Sequence, residues 1–246
     1  MSLPTFLAST VAGSAVGASV EVEGDEARHA VVVRRIRVGE QVVLTDGAGT
    51  AAVCTVTGTS KSSLRATVDD VRQDPREAPR LVVVQAIPKG DRGELAVEML
   101  TEVGVDVVVP WAASRSVAVW RGERAAKSLA RWRSSAREAA KQSRRAWFPE
   151  VTEPATTPDV VALLETAALC VVLHEAGDRP LADVTVPVQG DIVVVVGPEG
   201  GISDDELTAF ATVGAAPLRL GSSVLRTSTA GVVAAAALLS RTPRWH

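Results

Sequence analysis

Residues 192–196, Ile-Val-Val-Val-Val, are a short β-branched run bounded by Asp191 and Gly197, so they read as a buried strand. That strand opens directly into Gly197-Pro198-Glu199-Gly200-Gly201, and then Ser203-Asp204-Asp205-Glu206 spells a capping box that starts a helix. A glycine-rich turn between a buried strand and a capped helix is characteristic of α/β folds. Such folds bind nucleotide-like ligands at turns of this kind. Glycine lets a ligand approach bare backbone. The turn matches neither a Gly-x-Gly-x-x-Gly fingerprint nor a phosphate loop ending in Gly-Lys-Ser/Thr. About twenty residues on, Leu220-Gly221-Ser222-Ser223-Val224-Leu225-Arg226-Thr227 forms a second strand-end loop that runs into an apolar helix. The two loops predict one shared pocket.

The rest of the chain divides by rhythm. Residues 16–22, 41–44, 51–57 and 64–71 are short β-prone runs with Gly, Asp and Ser turns between them, and 25–36 reads as a short helix. This spacing predicts a small barrel over 1–73. Residues 74–79 hold two prolines and four charges and form the linker. From 80 to 246 strands and helices alternate: strands at 81–86, 105–109, 167–173, 192–196 and 217–220, helices at 93–103, 123–145 and 230–239. That alternation predicts a mostly parallel sheet with helices on both faces.

Composition sets limits. The chain of 246 residues has net charge −3, so nucleic-acid binding must come from a local patch. Residues 121–145 supply one, with nine Lys and Arg against Glu123 and Glu138. Arg133, Arg137, Lys141 and Arg144 recur at helical spacing and predict a basic ridge for phosphates, while Leu129, Trp132, Ala136 and Ala139 predict the core side. A solvated face without a partner is the bland alternative. Cys54 and Cys170 sit among apolar residues, as in a reducing cytosol, and the three histidines have no metal-ligand spacing. No basic segment precedes Arg28, and no run of about 18 apolar residues occurs, so neither a signal peptide nor a membrane span is expected. The expectation is a cytoplasmic protein with no metal.

These residues together resemble the SPOUT superfamily of knotted methyltransferases, and within it the 16S ribosomal RNA uridine-N3 methyltransferase family. His29, Val33, Arg35, Gly39 and Asp46-Gly47 are similar to that family's N-terminal RNA-binding barrel, described as PUA-like. Lys89, Asp91-Arg92, Glu94, Glu102, Gly104-Val105, Pro110 and Arg115-Ser116 resemble its first strand–helix–strand unit, and Gln142-Ser143, Arg145 and Pro149 the end of its basic helix. Gly197-Pro198-Glu199-Gly200-Gly201, Glu206, Leu220-Gly221 and Leu225-Arg226-Thr227 resemble its cofactor loops. This chain departs from the family at three places: Ser228 and Lys141 stand where Glu is common, and Arg34 where Leu is usual.

The resemblance implies a C-terminal trefoil knot, a homodimer packed through the knotted domains, S-adenosylmethionine as methyl donor and 16S ribosomal RNA, within the small subunit, as partner. The cofactor is expected at Leu173, His174, Glu175, Val196, Gly197, Pro198, Glu199, Gly200, Gly201, Leu220, Gly221, Ser222 and Leu225. Arg226 is the candidate catalytic cation, against the alternative of a salt bridge to a neighbouring loop or to Glu199. Glu199 either bonds cofactor or substrate or simply caps its loop. Arg35, Lys89, Arg92, Arg115 and Arg145 join the ridge as RNA contacts. Two rivals stand beside this reading: a ribose 2′-O-methyltransferase of the same superfamily, and a non-enzymatic RNA-binding assembly factor.

Overall fold

The computed structural model describes residues 3–245. The chain forms two compact units, Met1–Arg76 with Ala140–Phe148, and Glu77–Ala139 with Pro149–His246.

The first unit is built on β1 (Thr5–Leu7), β2 (Ser19–Glu23), β3 (Gln41–Thr45), β4 (Thr50–Thr59) and β5 (Ser63–Gln73), ordered β1-β3-β4-β5-β2 and curled into half a barrel. Alternation decides which side is core. Leu64, Ala66 and Val68 of β5 and Ala52, Cys54 and Val56 of β4 point inward, where Phe6 and Leu44 join them. β1 pairs parallel with β3 and is not legible in the sequence, because three residues carry too little periodicity. The helix expected over 25–36 is α1 (Gly24–Arg28) followed by a wider π-type turn, His29–Val33. It ends near Arg35, whose φ is +57°.

The second unit holds seven parallel strands: β6 (Arg80–Ala86), β7 (Val107–Trp111), β8 (Glu150–Val151), β9 (Leu169–Leu173), β10 (Arg179–Pro180), β11 (Asp191–Val196) and β12 (Pro217–Arg219). Their order is β10-β12-β9-β11-β6-β7-β8. Helices α2 (Arg92–Val103), α3 (Gly122–Gln142), α4 (Thr157–Glu165), α5 (Asp204–Ala211) and α6 (Thr227–Leu239) alternate with them. Leu81, Val83, Ile192, Val194 and Val196 face one core with Leu100, Trp132 and Leu238. Val82, Val84, Val193 and Val195 face another with Val160, Leu164 and Phe210. Burial on both faces is why β6 and β11 read as unbroken aliphatic runs rather than alternating ones.

The strand expected at 105–109 begins two residues later, at Val107. Gly104 ends α2 in the left-handed region at φ +107°, and the Val105 amide donates back to the Leu100 carbonyl, so Val105 closes the helix. The core side of α3 is as expected, with Leu129, Trp132, Ala136 and Ala139 buried. Trp132 lies against Gly93, where an added Cβ would stand 2.5 Å from the indole. Among the described residues, no helix is long and apolar enough to cross a membrane.

Candidate functional site: a glycine-walled cleft at the strand ends

β12, β9 and β11 are neighbours in the sheet, so the loops leaving their carboxyl ends converge. Together they line a cleft of about 560 Å³, within the ~300–1,000 Å³ of small-molecule sites. The cleft gathers Leu173, His174 and Glu175 after β9, Val196 to Gly201 after β11, and Leu220, Gly221, Ser222 and Leu225 after β12. Arg92, Arg115 and Arg226 also line it, as do Ser223, Val224, Thr227 and Ala230 of the second loop and its helix, together with Ile202 and Arg219, which sequence reasoning did not assign to it.

The lining suits an adenosyl group joined to an amino acid. Leu173, Val196, Leu220 and Leu225 offer apolar surface, and Glu175, Glu199, Ser222, Ser223 and Arg226 are among the polar residues beside them. Gly221 has φ +82° and nothing within 4 Å of where a Cβ would stand, so a side chain there would occupy free space at the cleft wall. Gly200 behaves differently. Its absent Cβ would meet the Arg115 carbonyl oxygen at 3.0 Å and the Arg115 Cβ at 3.1 Å. Glycine at 200 therefore admits the loop that follows β7.

That loop is held from below by Glu206. The buried carboxylate accepts the Ser114 amide at 2.7 Å, the Ser203 amide and hydroxyl at 2.9 Å each, and the Thr157 hydroxyl at 3.3 Å. Burial pushes its pKa up, but hydrogen bonds from Ser114 and Ser203 outweigh burial and hold it below the usual carboxylate range. The capping box legible in the sequence thus also anchors Ser114, one residue before Arg115. Arg115 in turn donates from Nη1 to the Ile202 carbonyl at 3.4 Å.

Glu199 accepts the Lys89 amide at 3.3 Å and lies 3.6 Å from Arg92, so its nearest cation is Arg92 rather than Arg226. Arg226 is exposed at the N-cap of α6, and its side chain makes no ion pair among the described residues. Ser228 is buried in the first turn of the same helix. His174 holds its loop: its amide donates to Leu218, and its Nδ1 accepts the Ala176 amide at 3.2 Å.

The basic ridge is not the continuous face that its spacing predicts. Lys141 is 5% exposed and paired with Glu26 inside the first unit, so it is not available to phosphate. Arg133 is exposed, but donates to the Val151 carbonyl and pairs with Glu153 at 3.0 Å. Arg35, Lys89, Arg92, Arg137 and Arg144 are exposed and Arg145 is half-buried. Helical spacing places Lys141 on a solvent face, but the segment beyond residue 139 folds with the N-terminal unit, which covers that position.

The family model for an RNA methyltransferase domain matches residues 76–239, and that for an RNA methyltransferase PUA domain matches 22–69. The ribosomal RNA small subunit methyltransferase E of Mycobacterium tuberculosis is 46% identical over 233 residues, covering 93% of this chain and 89% of that protein. The Bacillus subtilis protein of the same name is 28% identical over 229 residues, covering 90% of each. The structure of ribosomal RNA small subunit methyltransferase E from Neisseria gonorrhoeae bound to S-adenosyl methionine superposes with a TM-score of 0.86 at 28% identity, covering 97% of this chain and 98% of that one. A Legionella pneumophila methyltransferase in complex with the same cofactor gives a TM-score of 0.89 at 28% identity, covering 98% and 99%.

Proposed function

This chain belongs to the family of ribosomal RNA small subunit methyltransferase E, and on that footing we propose that it transfers a methyl group from S-adenosylmethionine to N3 of one uridine in 16S ribosomal RNA. The observation that carries the reading is the cleft itself, where three loops gather a recess of cofactor size beside the exposed guanidinium of Arg226.

S-adenosylmethionine supplies an electrophilic methyl on a sulfonium. The backbone of residues 173–175, 196–201 and 220–225 would hold it, with apolar side chains of the cleft around its base. Loss of the imide proton from uracil N3 spreads negative charge over the two carbonyl oxygens. Arg226, permanently charged and planar, offers donors to that charge as it develops. Glu199, engaged by Lys89 and Arg92, keeps the glycine turn in place. Holding N3 in line with the methyl supplies much of the remaining acceleration. The target base is unpaired or flipped from its helix to reach the cleft.

The same reading makes residues 1–73 a PUA-like RNA-binding domain and 80–246 the methyltransferase domain, with 74–79 linking them. Arg35, Lys89, Arg92, Arg115, Arg137, Arg144 and Arg145 are its RNA-facing cations. It includes a trefoil knot in the C-terminal domain, a homodimer and a cytoplasmic location. The dimer is supported by α6, which carries no acidic residue in its first turn and no basic one in its last, while its Val233 is 39% exposed.

The test is mass spectrometry of 16S ribosomal RNA from a deletion strain. One N3-methyluridine should vanish and return with the gene. A methyl that maps to a ribose 2′-oxygen, or no change at all, would overturn the reading.

A further inference from the structure

β6 is aliphatic from Leu81 to Val84 and then carries Gln85, which is completely buried. In the parallel register Gln85 stands opposite Val196, the last residue of β11 before the glycine turn. Its Nε2 donates to the Ala86 carbonyl at 3.1 Å and to the Thr227 Oγ1 at 3.0 Å. The Thr227 hydroxyl donates its own proton to the Gly197 carbonyl, at 2.8 Å. A single line of hydrogen bonds therefore runs from β6 through the first residue of α6 to the first residue of the glycine turn. Oε1 of Gln85, also buried, has no hydrogen-bond partner among the described residues.

A buried carbonyl without a partner is a standing cost, and an apolar side chain of the same shape would avoid it. What the amide provides in return is geometry. Thr227 follows Arg226 directly, and Gly197 opens a different turn that lines the same cleft. Nothing in the local sequence of either loop fixes one against the other. The Nε2 of Gln85 compels the Thr227 hydroxyl to act as acceptor on that side, and so to point its proton at Gly197.

We propose that Gln85 is a positioning residue for methyl transfer, holding the Arg226–Thr227 corner and the Gly197 turn in register through the Thr227 hydroxyl. The proposal rests on the methyl-transfer reading of the cleft, but its geometry is testable without substrate.

The experiment compares the full-length protein with Gln85→Leu, Thr227→Val and the double variant. Melting temperature, cofactor affinity by calorimetry, single-turnover methylation of small-subunit 16S ribosomal RNA, and amide exchange at Gly201, Thr229 and Ala230 are read together. Gln85→Leu should melt at or above the wild-type temperature, because the unpartnered carbonyl is gone. Its methylation rate should fall at least tenfold, with cofactor affinity within threefold, and the amides of Gly201 in the turn and of Thr229 and Ala230 in the first turn of α6 should exchange at least tenfold faster. Thr227→Val leaves the Gln85 carbonyl unpartnered and deprives the Gly197 carbonyl of its donor, so it should melt below wild type, but its methylation and amide exchange should change as in Gln85→Leu, and the double variant should be no worse than the poorer single one, as for two members of one line. Wild-type rates and exchange in either single variant would overturn the proposal, as would losses that simply add. So would an activity loss in Gln85→Leu that tracks a fall in its melting temperature. If Gln85→Leu fails to fold, Thr227→Val leaves β6 intact and decides alone. If the wild-type protein itself does not methylate 16S ribosomal RNA, the functional reading fails, and the amide exchange still decides the register.

Discussion

Lys141 Nζ stands 3.0 Å from Oε1 and 3.1 Å from Oε2 of Glu26, and Oε1 also accepts the Leu7 amide. The lysine side chain is 3% exposed and the glutamate 20%. A charge buried this deeply is tolerated because its partner is present. Lys141→Met should therefore cost about 2 kcal/mol in urea unfolding, below the ~3–5 of a fully buried pair because Glu26 retains some solvent. Adding Glu26→Gln should recover part of that loss. The salt slope of RNA binding should not move with Lys141; a drop of one unit would put the residue back on the RNA face.

The exposed cations of α3 behave oppositely. Arg124 and Arg137 are exposed and form no ion pair among the described residues. Replacing both with Ala should lower the slope of log K against log salt by about two units, near 0.9 for each phosphate no longer neutralised. Stability should stay within about 0.5 kcal/mol of wild type. An unchanged slope would leave the helix as a solvated face.

Two glycines of the cleft should fail in different ways. Gly221→Ala places a methyl in the cleft and strains a backbone at φ +82°, so cofactor affinity should fall about tenfold, or ~1.4 kcal/mol. Gly200→Ala presses on the Arg115 carbonyl 3.0 Å away. Its cofactor affinity should hold within about threefold while methylation falls by about tenfold, or ~1.4 kcal/mol of barrier. The reverse pattern in calorimetry and single-turnover assays would exchange the roles assigned to the two positions.

Glu206 predicts an acid limit. Its carboxyl is held below the unperturbed value of 4.5, so the folded protein binds its proton less readily than the unfolded chain does. Its contribution is complete above that value and disappears as pH falls through the lower folded one. At neutral pH Glu206→Gln should melt below wild type, and the two melting temperatures should converge as the pH falls below about 4.5. A gap that stays constant with pH would mean that shape rather than charge holds the Ser114 loop.

Arg226→Ala should cut single-turnover methylation about a hundredfold, or ~2.7 kcal/mol of barrier, with cofactor affinity nearly unchanged. Raising the pH should partly restore the variant if its defect is an imide that stays protonated. Cofactor binding lost in proportion to activity would make Arg226 a wall of the pocket instead.

How much of the molecule is legible before folding follows from which forces are local. The Ile192–Val196 run, the glycine turn after it and the Ser203–Glu206 capping box are written in contiguous residues, and the structure has them where the sequence puts them. The core face of α3 is equally plain, because helical periodicity needs only one helix. β1, β8 and β10 leave no such signal, since two or three residues become strands only when a neighbour offers its edge.

The sequence by itself determined the α/β class, the two pocket loops and the residue types that line them. Tertiary structure alone decided what those residues do to each other. It buried Lys141 against Glu26 across 115 residues, turned the bare side of Gly200 toward Arg115, and laid Gln85 against Thr227 across 142. The physical reason is that periodicity and turn chemistry specify which way a side chain points from its own element. The partner it meets there depends on the order in which strands enter the sheet, and here neighbours such as β11 and β6 lie more than a hundred residues apart.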